Sequence, residues 1–225
     1  DALMGAKQIK MLGLSSPYLL ISEENIPMVR GASQAYGLSF TPGTWVESIQ
    51  ISKGAGSVTN GFESIAGQIN TELKKPLTDE PFFLNLFASA NGRYEMNTHL
   101  NRKINERLST GLFIHGNKRT QKFDNNNDRF LDLPVSEQIN MMNRWQYIDT
   151  EKGWIGFLSW RFMNDEKLMG NLDYNPQKDS GYKQRWGSEI RTKRWDTSLK
   201  VGYVFPEIPY QSFGFQSAYS RHKQE

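Results

Sequence analysis

A period-two alternation of apolar and polar side chains, held over stretches of bilayer-crossing length, predicts a mainly β, antiparallel fold for this chain of 225 residues. Three observations carry that expectation. The alternation occupies most of the sequence after Phe82. A mean hydropathy of −0.63 goes with 23% charged residues, and no run of about eighteen apolar residues occurs, so no spanning helix is expected. Aromatic residues nevertheless make up 12% of the chain, and Trp and Tyr collect at the two interfaces of a bilayer. A transmembrane β-barrel wall reconciles the three, because lumen-facing polar residues alternate with lipid-facing apolar ones and keep the mean hydropathy low.

The first part of the chain reads as a small mixed sheet. Gln8–Leu12 and Tyr18–Ser22 are β-prone runs separated by Gly13 and Pro17, and Asn25 to Pro27 closes the second. Val29-Arg30-Gly31 and Tyr36-Gly37-Leu38 lead through Thr41-Pro42-Gly43 to the stretch Trp45–Asn70, WVESIQISKGAGSVTNGFESIAGQIN. Its short strand, Ile49-Gln50-Ile51, is apolar at every second position and stops at Lys53-Gly54, where glycine permits positive φ. Gly56, Gly61 and Gly67 follow, and glycine at this density implies backbone held close against neighbouring surfaces. A change of texture between Lys74-Lys75-Pro76 and Pro81 separates residues 1–76 from 77–225.

Beyond it the strands come in sequence. Phe82–Asn91 sets Leu84, Leu86, Ala88 and Ala90 against Asn85, Ser89 and Asn91, and Asn91-Gly92 is a turn signal. Met96, Thr98 and Leu100 oppose Asn97, His99 and Asn101; Leu108, Thr110, Leu112 and Ile114 oppose Ser109, Gly111 and His115. After a polar insertion come Ile139–Tyr147 and Trp154–Met163, then a second polar stretch, Asn164–Tyr182, and the segments Trp186–Thr192, Leu199–Phe205 and Phe213–Tyr219. About eight strands are expected, with connections alternately short and long, as outer-membrane barrels arrange them.

The run Val46-Glu47-Ser48-Ile49-Gln50-Ile51-Ser52-Lys53-Gly54, followed by Ser57, Gly61, Gly67, Ile69 and Asn70, resembles the end of the plug domain of TonB-dependent outer-membrane receptors. Ser48 stands where that family usually has a basic residue, and Gln50 where it usually has a second glutamate. The resemblance implies a partial transmembrane antiparallel barrel, about eight of roughly 22 strands, preceded by a small mixed α+β plug portion, and hence a fragment of a longer chain. It implies that Glu47, Lys53, Gly54, Gly61, Gly67 and Asn70 form the plug motif and its contact with the barrel, and that Arg30, Gln34 and Tyr36 approach the ligand. It further implies a bacterial outer-membrane receptor without catalytic activity or required cofactor. Such a receptor imports a scarce small-molecule ligand, such as a metal–siderophore complex, haem or cobalamin. Its energy comes from an inner-membrane TonB-type complex acting through a segment upstream of this sequence.

The polar insertion carries recognisable site chemistry. Asp124, Asn126, Asp128 and Asp132 place oxygen-bearing side chains at the spacing that lets a tight loop converge on calcium, with a backbone carbonyl near Phe130. Arg129 occupies the position of the glycine an EF-hand needs, and no glutamate stands at its twelfth position, so an Asx-rich solvated loop capping its own backbone competes equally. His99, His115 and His222 fall in separate strands with no nucleophile beside them, and no G-x-S-x-G, P-loop or H-E-x-x-H pattern occurs. Met141, Met142, Met163 and Met169 read as packing rather than as soft-metal ligands. The absence of cysteine excludes thiolate chemistry, and the net charge of +3 is too small to point to nucleic acid. Two other readings share parts of this pattern, a passive porin-like barrel and a soluble β-rich carbohydrate-binding module.

Overall fold

The computed structural model describes residues 5–57, 61–179, 185–208 and 210–225. Residues 58–60 of the glycine-rich stretch, 180–182 of the second polar stretch, and Pro209 lie outside them. The chain divides between Lys74 and Lys75 into two compact units. Among the described residues no helix is long and apolar enough to cross a membrane.

The first unit is built on a four-stranded sheet of order β2-β1-β4-β3, from β1 (Leu19–Glu23), β2 (Ile26–Pro27), β3 (Val46–Lys53) and β4 (Gly67–Leu73). β1 runs parallel to β4, and the other pairs are antiparallel. Glu24 and Asn25, both at positive φ, turn β1 into β2. The described residues of this unit also hold 3₁₀ turns at Ser16–Tyr18, Gly31–Gln34, Gly37–Ser39 and Gly43–Trp45. Pro17, Pro42, Gly31, Gly37 and Gly43 interrupt each before a longer helix can propagate. The turns bury Tyr36, Phe40 and Trp45, while Met11, Leu19 and Ala66 form a cluster with Ile9 and Ile69 packed against it. Gln8–Leu12 is not a strand. Met11 and Leu14 exchange both backbone hydrogen bonds across Leu12-Gly13, each at positive φ, so the run ends in a two-residue turn.

The second unit is a seven-stranded antiparallel sheet in sequence order: β5 (Phe82–Ala88), β6 (Arg93–Lys103), β7 (Leu108–Arg119), β8 (Val135–Asp149), β9 (Trp154–Gly170), β10 (Gly187–Val204) and β11 (Ser212–Gln224). Residues 104–107, 150–153 and 205–211 connect strands at one end, and 89–92, 120–134 and 171–186 at the other, where the two long loops lie. The strand count differs from the expected eight because Trp186–Thr192 and Leu199–Phe205, but for their outer residues Trp186 and Phe205, lie in one unbroken strand, β10. β9 likewise runs through Asn164–Gly170, which reads as loop in the sequence. As far as Lys167 this stretch is polar on both faces: Asn164 and Glu166 face outward, while Asp165 and Lys167 are buried. Strand continuing past an apolar slab loses the two-faced pattern that announces it.

The polarity of this sheet is reversed relative to a water-soluble one. Asn97, His99, His115, Gln138, Asn140, Arg144, Arg161, Asp165 and Arg194 are buried, whereas Trp154, Leu158, Trp160, Trp195, Leu199, Phe213 and Tyr219 are exposed. The exposed apolar residues form a band that slants across the strands. The hydrogen-bonded row from Phe82, where the band begins on β5, reaches Tyr219 on β11, yet on β11 the band extends back to Phe213. Six residues at about 3.4 Å against six strand spacings of about 4.8 Å make a slant of about 35°. Membrane barrels tilt their strands by about that amount.

Candidate functional site

In the first unit the glycine-rich stretch closes on itself through backbone contacts. Gly54 N–H donates to Ala66 O (2.9 Å) and Gly56 N–H to Ser64 O (2.7 Å). Gly54 and Gly61 adopt φ of +93° and +83°. A Cβ on Gly67 would strike Met11 Sδ and come within 2.5 Å of Ser52 O, so no larger residue fits between β3, β4 and the Met11 turn. Asn70 is buried, and its Oδ1 accepts from Ser22 Oγ (3.0 Å) and Asn25 N–H (2.8 Å) while Nδ2 donates to Glu72 Oε1 (3.1 Å). That side chain fixes the β1–β2 turn to β4. Glu47 and Lys53 are exposed on β3, an edge strand.

Arg30, Gly61 and Asn70 line one polar cavity of about 260 Å³, together with Ser22, Gln50 and Gln68. Arg30 is half exposed and holds Glu63 through Nη2 (2.6 Å) and Nε (2.7 Å). Gln34 is half-buried at the end of its 3₁₀ turn, and Tyr36, 4% exposed, belongs to the interior. The three expected ligand contacts therefore do not share one open face.

The Asx-rich loop spends its oxygens on its own backbone. Asp124 accepts from the N–H of Asp128 (3.1 Å) and Arg129 (2.9 Å), Asp128 from Phe130 N–H (2.8 Å), Asn126 from Asp128 N–H (3.3 Å), and Asp132 from Asn125 N–H (2.9 Å). Asn127 and Arg129 take positive φ to make these turns. Among the described residues no three acidic or histidine side chains converge as a metal site. The loop is also joined to the next one: Leu131 N–H donates to Gly170 O and Leu172 N–H to Arg129 O, both at 2.9 Å.

The buried face of the seven-stranded sheet carries a polar network that sequence reading touched only through its histidines. His115 Nδ1 lies 2.7 Å from Asn97 Oδ1, Asn97 Nδ2 donates to Glu95 Oε1 (3.0 Å), and Asn117 Nδ2 donates to Gln138 Oε1 (3.1 Å). Arg194 Nε donates to both oxygens of Asp196 at 2.9 Å, and Lys167 pairs with Asp165. His99, fully buried between the rings of Phe83 and Phe113, has Nδ1 3.1 Å from Asp79 Oδ2. Asn101 Nδ2 donates to the same oxygen (2.8 Å). These bonds fasten the segment before β5 to the sheet. The signal for Arg144, Arg161 and Arg194 was present in the sequence as a charge directly beside a tryptophan, Trp145, Trp160 and Trp195. Chemically the face offers donors and acceptors to polar groups, interspersed with the buried Phe113, Met142 and Met163.

The chain thus has a fold of two parts, a glycine-rich mixed sheet followed by an antiparallel sheet that is polar on its buried side and apolar outside. Solved structures share it. The siderophore receptor PiuA from Acinetobacter baumannii matches 97% of this chain at a TM-score of 0.69 and 13% identity. The copper transporter OprC matches 98% at 0.57 and 12% identity, and the siderophore receptor PirA from Pseudomonas aeruginosa 99% at 0.51 and 15% identity. The chain spans between 31% and 45% of the length of these three proteins. No family model and no curated protein matches the sequence.

Proposed function

We propose that this chain is part of a bacterial outer-membrane receptor that imports a scarce, bulky ligand, of the class of metal–siderophore complexes, haem or cobalamin, with energy from an inner-membrane TonB-type complex. The observation that carries the reading is the reversed polarity of the seven-stranded sheet, which suits lipid outside and a polar interior. Its two edges, β5 and β11, carry backbone donors and acceptors that lipid does not satisfy, so further strands are expected to pair with them. The four-stranded unit favours an importer over a passive porin, which has no use for it, and the siderophore and copper proteins that share the fold favour a metal-bearing ligand.

Deletion of residues 54–70 from the full-length protein tests the reading. Energy-dependent uptake of a ferric siderophore should be abolished while outer-membrane insertion persists. Retained uptake that responds to the proton-motive force as before would contradict it, and unselective leakage alone in both proteins would point to the porin.

A further inference from the structure

We propose that Arg119, with Arg93 beside it, binds a carboxylate group of the imported ligand, an inference that deepens the importer reading above and takes its ligand from it. The register sets Arg93 on β6 directly opposite Arg119 on β7, and Ser136 on β8 and Lys167 on β9 continue the row. All four stand toward the end of the sheet that carries the two long loops, on the face that buries Asn97, His115, Asn140 and Asp165.

Like charges directly opposite one another across a strand pair are unfavourable. The two flanking cations each have a carboxylate two residues along their own strand: Arg93 Nη2 holds Glu95 Oε2 (2.5 Å), and Lys167 pairs with Asp165. On β7 the equivalent position is Asn117, whose amide is spent on Gln138 and His115. Glu95 is already shared, since it also accepts from Asn97 Nδ2 (3.0 Å) and lies 3.8 Å from His115 Nδ1. Among the described residues Arg119 forms no ion pair and no side-chain hydrogen bond, and the charge that acts on it is that of Arg93. Nε of Arg93 and Nε of Arg119 are both buried without an acceptor there, and an unmade buried donor is costly. β6 and β7 lie inside the sheet, hydrogen-bonded on each side, so no strand beyond its edges can stand next to them and supply the missing charge.

One uncompensated positive charge on a planar guanidinium calls for a group with one negative charge and two coplanar acceptor oxygens. A carboxylate is that group, and arginine takes it through paired, parallel hydrogen bonds. The Ser136 hydroxyl, which bonds nothing among the described residues, adds a donor beside Arg119. A phosphomonoester brings nearly two charges, more than this row leaves unbalanced.

The test is the rate at which phenylglyoxal modifies Arg119 in the full-length protein in detergent, read by peptide mass spectrometry at constant ionic strength. Succinate at about ten times its half-effective concentration should slow labelling of Arg119 about tenfold, as occupancy of one site requires. Neutral succinamide should not slow it, and Arg107, at the other end of the sheet and held by Asp149 and Glu151, should keep its rate with either compound. Glu95→Gln removes the counter-charge that Arg93 uses and should lower the half-effective succinate concentration about fivefold. Lys118→Gln, on the outward face, should leave it unchanged. No slowing by succinate, equal protection by succinamide, protection by phosphate at lower concentration than succinate, or weaker succinate binding in Glu95→Gln overturns the site. Those results leave the importer standing; uptake that survives deletion of residues 54–70 removes the importer, and the carboxylate ligand with it.

Discussion

Gly67 shows how a single position constrains the first unit. Its missing side chain leaves room for Met11 Sδ and Ser52 O, so Gly67→Ala forces either the Met11 turn or β3 to move. Overpacking of this kind costs about 1–3 kcal/mol, and limited proteolysis of the full-length variant should show the glycine-rich stretch cut at lower protease than in the unaltered protein. Asn70 belongs to the same argument, since removing its amide strands the N–H of Asn25. In the long loop, Asp124→Ala removes the acceptor for two amides, those of Asp128 and Arg129. Protease nicking between residues 120 and 134 should rise in that variant. Calorimetry of the unaltered protein then decides calcium: heat of binding lost in Asp124→Ala would support the metal, and no heat at all would leave the amide-capped loop as the whole account. Asn143 is a polar residue on the outward face that survives there because it is bonded. Trp145 Nε1 donates to its Oδ1 (2.7 Å) and its Nδ2 donates to Gly111 O (3.0 Å).

At the scale of the strand, depth in the apolar band governs tolerance. Leu158 lies on β9 between Trp154 and Phe162, and Leu158→Arg should destabilise the protein by about 2–4 kcal/mol if lipid covers that face. Glu166, eight residues further on the same face than Leu158 (158 to 166), lies beyond the band, and Glu166→Arg should cost close to nothing. Urea unfolding of the two variants in lipid vesicles measures the difference, and equal costs would contradict the slanted band. The same gradient explains what was legible in the sequence. Leu84 to Leu86, Leu108 to Ile114 and Trp154 to Phe162 sit within the band, so their alternation named them as strands. Asn164–Lys167 lies past its edge, where both faces meet polar surroundings, and its strand character was invisible; in the middle of β10, Lys193 to Ser198, Trp195 stands alone among polar residues and shows no alternation. Gln8–Leu12 failed for a different reason: Leu12-Gly13 is a tight turn, and turn geometry overrode a β-prone composition.

For the molecule as a whole, the fold was legible because two independent patterns pointed the same way, the spacing of Gly54, Gly61 and Gly67 and the alternation after Phe82. The candidate site was less so. Tyr36 reads as an exposed loop aromatic but lies in the interior, since the 3₁₀ turns that bury it have no periodicity to betray them. Arg144, Arg161 and Arg194 read as ordinary charges until the register shows them on the buried face of adjacent strands. The central claim is that the outward face of β8 to β11 meets lipid. Because this chain holds no cysteine, spin labels at single introduced cysteines from 154 to 166, in the full-length protein in vesicles, read that directly. Labels at 154, 156, 158, 160 and 162 should be relaxed by oxygen and shielded from a water-soluble nickel chelate, with the preference reversing at 164 and 166. Nickel accessibility at 156, 158 and 160 equal to that at 166 would contradict the account.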